Sequence, residues 1–414
     1  MSSIINATTT NGVVIQPDNS GSLVLQTNNG TTAVTVDTSQ NTTLAGKLTT
    51  ASSGIQFSDS STQTAAASPY VLKNRIINGD MRIDQRNAGA SVTIGATSIT
   101  YTLDRFWAFA DQSSKFSIQR NAGSVTPPTG FTNYLGCTSL SAYSIVSGDR
   151  FVVVQSIEGL NCADLGWETA NAQTVTLSFW VRSSLTGTFG GSLRNSANNR
   201  SYPYSYTISS ANTWEQKTIT IAGDTSGTWL TTNDTGIQVA WSLGAGSTYS
   251  GTAGAWAGSN LLSATGATSV VATNGATFYI TGVQLEVGST ATPFERRLYN
   301  QELANCQRYY WKVDGGTTTD YVALGSGVVM STTQVRIYVK YPVAMRAAPT
   351  ISYNGSIYAD DVTGHLVTSI ATAFEGIDQM MLDFNTQSGK TTGRGVVCYV
   401  VNSSGNNLIA SAEL

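Results

Sequence analysis

TFYITGVQLEVGSTATPFERRLYNQELANCQRYYW, residues 277–311, contains two changes of period and decides the fold on either side of it. Over Thr277–Val287 the apolar residues alternate as in a buried strand. Phe278 and Ile280 share one face. Gly282 breaks the alternation, and Val283, Leu285 and Val287 resume it one residue out of step, as a glycine bulge would require. This strand is expected to close a β-sandwich. After Gly288 and Pro293 the period changes: Tyr299, Leu303, Cys306 and Tyr310 fall at i, i+4, i+7 and i+11, one stripe of a short amphipathic helix. Strand-like alternation returns beyond Trp311 and continues to Leu414. The helix is therefore expected to be a joint between two β domains. Its stripe would dock between them or meet copies of itself near a threefold axis.

Upstream, from Asn74 to about Arg296, strands recur at regular spacing with turn signals between them, the pattern of a sandwich. Val175, Leu177, Phe179 and Val181 share one face, opposite Thr176, Ser178, Trp180 and Arg182. Ile237, Val239, Trp241 and Leu243 form another apolar face, and Tyr202, Tyr204 and Tyr206 line up on one side of RSYPYSY at 200–206. Residues 1–69 differ. GVVIQ (12–16), SLVLQT (22–27) and TAVTVD (32–37) are short alternating pulses at a spacing of about ten residues, too poor in apolar bulk for a core of their own. Identical neighbours wound around them would supply the missing contacts. Downstream, Val335, Ile337, Val339 and Tyr341 share a face in a last, smaller β domain.

The composition narrows the class. Charged residues are 11% of the 414, far below the roughly 25% of ordinary soluble domains, and Gly, Ser, Thr and Asn take their place. Such a surface suits a β-rich extracellular or virion protein partly covered by partner subunits. A net charge of −3 gives no general electrostatic reason to bind nucleic acid, and no apolar run reaches the roughly 20 residues that span a bilayer. The first residues, MSSIINATTT, lack the apolar core of a signal peptide. Cys137, Cys162, Cys306 and Cys398 are scattered without metal-ligand spacing and read as small buried hydrophobes.

Hydrolytic chemistry finds little support. Asp360 and Asp361, the adjacent acidic pair, point to opposite faces of a strand and read as a solvated turn, whereas a glycosidase needs two carboxylates facing one bond. His365 has no nucleophile motif near it, and the glycine-rich runs at 187–191 and 243–247 read as turns. Sugar binding remains, because aromatic rings stack on pyranose faces while amides and arginines bond hydroxyls. Trp180 with Arg182, Arg200 with Tyr202 and Tyr204, and the loop residues Trp167, Trp229 and Trp256 fit that recipe. Covering a sheet or filling a trimer contact is the alternative for each ring.

Several stretches carry a resemblance. LVLQTNNGTTAVTVDTSQNTTLAGKLTTASSGIQFSDSSTQTAA (23–66), chiefly through SGIQFSDSSTQT (53–64), is similar to the stalk segments of tailed-bacteriophage tail fibres. NRIINGDMRIDQR (74–86) and TGVQLEVGSTATPFE (281–295) resemble the first and last strands of the galactose-binding-like jelly rolls of carbohydrate-binding modules and phage fibre proteins. YPVAMRAAPTIS (341–352), with ASAEL at 410–414, resembles the C-terminal head of many such fibres. The resemblance implies an all-β homotrimer: a fibrous N-terminal β stalk over 1–69, a central β-sandwich jelly roll over 70–297, then a short connecting helix and a small C-terminal β-sandwich head over 298–414. It implies a non-enzymatic receptor-binding protein on the virion, attached through its N-terminal segment to other tail or baseplate proteins and adhering to a host surface glycan. A tailspike depolymerase and a structural virion adaptor are the alternatives, and either β domain is a candidate for the receptor site. No cofactor is expected beyond a structural calcium of the jelly-roll type, for which Asp80 and Glu286 are the candidate ligands.

Overall fold

The computed structural model describes residues 21–27, 31–45, 55–56, 62–63, 73–316, 321–403 and 405–414. The chain divides into two compact units, Met1–Val71 and Leu72–Leu414. In the first, Leu23–Thr27, Thr31–Val36 and Thr42–Leu44 form an antiparallel sheet, and Ile55–Gln56 pairs with Thr62–Gln63. Asp37 sets the turn into the third strand, its Oδ1 accepting the N–H groups of Ser39 and Asn41 at 2.9 Å each. Val24, Leu25 and Leu44 are exposed, so these strands bury no core of their own within one chain. GVVIQ at 12–16 and most of the run at 53–64 lie outside the described residues.

In the second unit the bulge is where the alternation put it. Thr277–Val287 lies inside a six-stranded sheet beside Val175–Ser183, with Ser178 facing Gln284 and Trp180 facing Thr281. Gly282 and Val283 thus stand against the single residue Phe179. Gly282 takes φ +60°, and a Cβ there would meet the Phe131 ring at 2.6 Å, so glycine is required for both reasons. The rest of this first sheet is Glu215–Ile221 on one flank and Leu135–Ser139, Phe116–Arg120 and Val92–Thr93 on the other. The second sheet runs Ser201–Ile208, Gly187–Arg194, Thr235–Ala245, Arg150–Glu158, Phe106–Ala110 and Thr100–Leu103. Between the sheets lie the faces read from the sequence: Val175, Leu177, Phe179 and Val181 against Ile237, Val239, Trp241 and Leu243, with Tyr202, Tyr204 and Tyr206 beside them.

The protein is all-β apart from Tyr299–Gln307, the one α-helix among the described residues. Its buried side is the expected one only in part. Tyr299 is exposed and Leu303 half-buried, while Glu302, Cys306 and, just beyond the helix, Tyr309 and Tyr310 are buried. Glu302 replaces the apolar residue because it has partners inside: it accepts the backbone N–H of Asn78 and pairs with Arg297 at 3.2 Å. The head, expected as a small sandwich, closes instead into a barrel of Val322–Ser331, Gln334–Lys340, Gln379–Thr386, Gly364–Glu375, Ile357–Asp360 and Gly395–Val400. Alternation is the same in a sandwich and a barrel; closure comes from Val322–Ser331 pairing with both neighbours. A three-stranded sheet of Tyr310–Asp314, Asn407–Ser411 and Thr350–Asn354 joins barrel to helix. All four cysteines are buried and free.

Sandwich and head meet through charges. Glu413 binds Arg105, which is fully buried, and Arg86 at 2.6 Å. Arg308 holds Glu158 in a bidentate pair at 2.5 and 2.9 Å, and the Tyr309 hydroxyl donates to the same carboxylate.

Candidate functional site

The outer face of the second sheet collects aromatic and polar groups. Pleating sends Phe106, Ala108 and Ala110 inward and Trp107 and Phe109 outward; in the next strand Phe151 and Val153 go inward while Val152 and Val154 go outward. A sheet apolar on both faces needs a cover. Residues 246–268 supply it: Leu262 is buried and Tyr249 packs on the same cluster. This segment is pinned by the N–H of Leu262 on the Tyr249 carbonyl (2.8 Å), a β-bridge between Ser201 and Ala257, and the Ser201 hydroxyl on the Ser259 carbonyl (2.6 Å).

A groove of about 190 Å³ remains open on this face, with Phe109, Arg150, Arg194, Gln238, Asn198 and Asn260 among its walls. The Arg150 guanidinium lies 4.4 Å from the Phe109 ring centre and 4.8 Å from that of Tyr249, and it is held by Asp111 through bonds of 3.0 and 2.9 Å. Those bonds to Asp111 raise the Arg150 pKa above its ordinary value. Arg194 faces Gln238 across the strand pair, so its Nε donates to Gln238 Oε1 at 2.7 Å, and its Nη1 donates to Asn260 Oδ1 at 2.8 Å. Burial, with Arg150 adding, lowers the Arg194 pKa to about 10. It therefore stays charged at neutral pH. Asn198 comes from the turn after this strand, where Asn195 Oδ1 accepts the N–H groups of Asn199 and Arg200.

The residues singled out from the sequence lie elsewhere. Trp180 and Arg182 are on the outer face of the first sheet, on the other side of the sandwich; Trp180 covers Gly282, and Arg182 donates to the Asn212 carbonyl and lies over Tyr279. Arg200 is closed by Asp224 through bonds of 2.8 and 2.5 Å. Tyr204 is in the core, its hydroxyl donating to the Ala240 carbonyl. Trp167, Trp229 and Trp256 do come together, with ring centres 4.6 to 5.3 Å apart, and Tyr202 joins Trp256 at 5.2 Å. Their indole N–H groups end on backbone carbonyls of Gln173, Ser226 and Ala222. This cluster plugs one end of the core and presents no stacking platform, since T-shaped neighbours cover the ring faces. Phe109, Arg150, Arg194, Gln238, Tyr249 and Asn260 were missed. Phe109 and Arg150 had a signal in the unbroken apolar runs FWAFA (106–110) and, directly after Arg150, FVVV (151–154), which call for contacts on both faces; Arg194, Gln238, Tyr249 and Asn260 lie outside those runs.

Asp80 and Glu286 do not fit a calcium site. Asp80 pairs with Arg82 at 2.5 Å, and both oxygens of Glu286 accept from protein donors: Gln284 Nε2 and the Thr292 N–H on one, the Thr292 hydroxyl on the other. Among the described residues no group of three or more His, Cys, Asp or Glu side chains is placed to hold a metal ion. Asp361, read as solvated, instead pairs with the buried Lys390 at 3.2 Å.

No protein-family model matches the chain, and no curated protein matches it. Partial likenesses exist among solved structures. The enzymatically active domain of tailspike protein 4 of bacteriophage CBA120 is 12% identical, with a TM-score of 0.28 over 52% of this chain and 21% of that one, so the likeness spans about a fifth of the tailspike domain. The family 11 carbohydrate-binding module of Clostridium thermocellum is 12% identical, with a TM-score of 0.25 over 50% of this chain and 100% of that one. The xylan-binding CBM22-1 domain of Paenibacillus barcinonensis Xyn10C is 9% identical, with a TM-score of 0.21 over 50% and 99%.

Two other concavities differ in chemistry. One of about 200 Å³ beside the helix, lined by Asn74, Arg75, Asn161, Arg297, Gln301 and Asn305, has no aromatic wall, and its arginines are paired with Asp164, Glu295 and Glu302. The other, on the head, is formed by Tyr321, Tyr358 and Tyr399, with the last two rings parallel within 4° and 6.0 Å apart.

Proposed function

We propose that the groove on the second sheet binds a glycan of the host surface and that the chain is a non-enzymatic receptor-binding protein of a tailed-phage fibre. The observation that carries the reading is the groove itself: the half-buried ring of Phe109 beside Arg150, which the Tyr249 ring backs from the cover segment, with the amides of Gln238, Asn198 and Asn260 within one concavity. Rings exclude water from a sugar face, and amides exchange hydrogen bonds with its hydroxyls. Adhesion is favoured over depolymerisation because the charged walls are two arginines, whereas glycoside hydrolysis needs two opposed carboxylates. In this reading the chain is a homotrimer on the virion, docked to tail or baseplate proteins through its N-terminal unit. The exposed Val24, Leu25 and Leu44 support it, being apolar groups that a neighbouring chain would cover.

The tyrosine patch of the head supports a second reading, with the receptor site at Tyr358 and Tyr399. A glycan array with the full chain separates the two. Phe109→Ala and Tyr249→Ala should each lower glycan binding by about 1–3 kcal/mol with the fold intact, and Tyr358→Ala should leave it unchanged. Loss with Tyr358→Ala alone would move the site to the head. Release of reducing ends from a host polysaccharide would make the protein a depolymerase.

A further inference from the structure

Among the described residues Arg194 is a buried cation without a counter-charge. It is 6% exposed, its Nε and Nη1 are spent on the neutral oxygens of Gln238 and Asn260, and its Nη2 has no acceptor among the described residues. No Asp or Glu among those residues lies within 4 Å of it. Other deeply buried cations here are matched, Arg105 by Glu413 and Lys390 by Asp361. Arg150, its charged neighbour in the groove, is already neutralised by Asp111. The groove thus carries one net positive charge in a desolvated setting, where an unpaired ion is costly and an incoming anion recovers the cost.

We propose that Arg194 anchors a carboxylate, so that the ligand of the groove is an acidic saccharide bearing a uronate or nonulosonate unit. The inference rests on the glycan-binding reading and narrows it. A carboxylate carries one negative charge and accepts N–H groups in the plane of the guanidinium, matching the one charge and the unused Nη2. A phosphomonoester would bring roughly 1.5 to 2 charges to a site that offsets one. The hydroxyls of the same unit would meet the amides of Gln238, Asn260 and Asn198.

The test uses the full chain and four probes, glucuronate, N-acetylneuraminate, glucose and glucose 6-phosphate, read by saturation-transfer NMR and thermal shift. At least one acidic monosaccharide is expected to bind about 10-fold or more tightly than glucose. Arg194→Gln should cost that sugar roughly 10- to 100-fold, bringing it to the level of glucose, since the lost contact is a charge-assisted hydrogen bond. Arg194→Lys should keep part of the preference. Melting of Arg194→Gln at or above the wild-type temperature shows that the variant folds. Equal binding of glucose and glucuronate, both abolished by Phe109→Ala, would overturn the carboxylate anchor and leave the groove reading standing. Tighter binding of glucose 6-phosphate than of either acid would overturn it in favour of a phosphorylated glycan. No binding of any probe, with array binding that still depends on Phe109, would overturn the anchor alone; array binding that ignores Phe109 and Tyr249 would remove both.

Discussion

Asp104 shows how one carboxyl can be set against its own ionisation. It is fully buried near the junction of sandwich and head, where burial pushes its pKa up; Arg86 and a bond from Gln85 act the other way, and the outcome is about 6. The folded value lies above the unfolded one near 3.9. Below about pH 4 both states hold the proton and no cost is felt. As pH rises towards and past 6 the folded state must ionise a buried group, and stability falls by up to about 3 kcal/mol. Asp104→Asn should therefore raise the melting temperature at pH 7.5 and change it little at pH 4, with the difference between variant and wild type growing between those values. A difference that does not vary with pH would show that Asp104 does not titrate there. Arg194 is the matching case of opposite charge: burial lowers its pKa to about 10, so it stays charged at neutral pH.

The strand Asn407–Ser411 ties the molecule together beyond its own hydrogen bonds. It is central in the small sheet, between Tyr310–Asp314 and Thr350–Asn354, and the residues after it enter the sandwich. Glu413 reaches Arg105 and Arg86 there, while Arg346 donates to the Ala412 and Glu413 carbonyls at 2.8 and 3.0 Å. Removing one partner of a buried pair leaves the other unpaired, a loss of about 3–5 kcal/mol. Glu413→Ala should lower the melting temperature and open the junction to proteolysis, and the double variant Arg105→Met, Glu413→Leu should recover most of the loss. Equal stability of Glu413→Ala and wild type would mean the junction holds by packing alone. None of this was legible in ASAEL at 410–414, because the partners Arg86 and Arg105 are more than 300 residues away in sequence. The bulge at Gly282 was legible, because a slip in alternation and its cause sit in the same strand.

For the molecule as a whole a prediction of mass follows from exposed apolar groups in both units. Val24, Leu25 and Leu44 in the first, and Val328, Tyr338 and Val397 on the barrel of the second, face solvent in a single chain. In the homotrimer proposed above, partner chains cover such groups. Light scattering on the full chain should return three times the 43.6 kDa of one chain, and Leu25→Asp should lower that mass or its stability to dilution. A monomeric mass for the wild-type chain would remove the trimer. No helix among the described residues is long and apolar enough to cross a membrane.

Alternation and spacing by themselves determined the β class, the inward faces of Val175–Ser183 and Thr235–Ala245, the bulge and the position of the helix, because each is written in residues a few positions apart. They also placed four free cysteines in the interior, from their scatter. Which aromatic residues pack and which stay open was decided only by the tertiary structure. Trp167, Trp229 and Trp256 come from three separate loops and close on one another, so composition that suits a sugar site is used up in a plug. The helix stripe was legible only in part for a related reason: Cys306 and Tyr310 are buried as the spacing has them, but Glu302 is buried because Asn78 and Arg297 await it, partners that periodicity cannot see. Arg194 depended on the fold most of all. Its side chain is one arginine among many in the sequence; only the pairing of Gly187–Arg194 with Thr235–Ala245, and the cover laid by residues 246–268, make it a buried cation facing amides and, among the described residues, no acid.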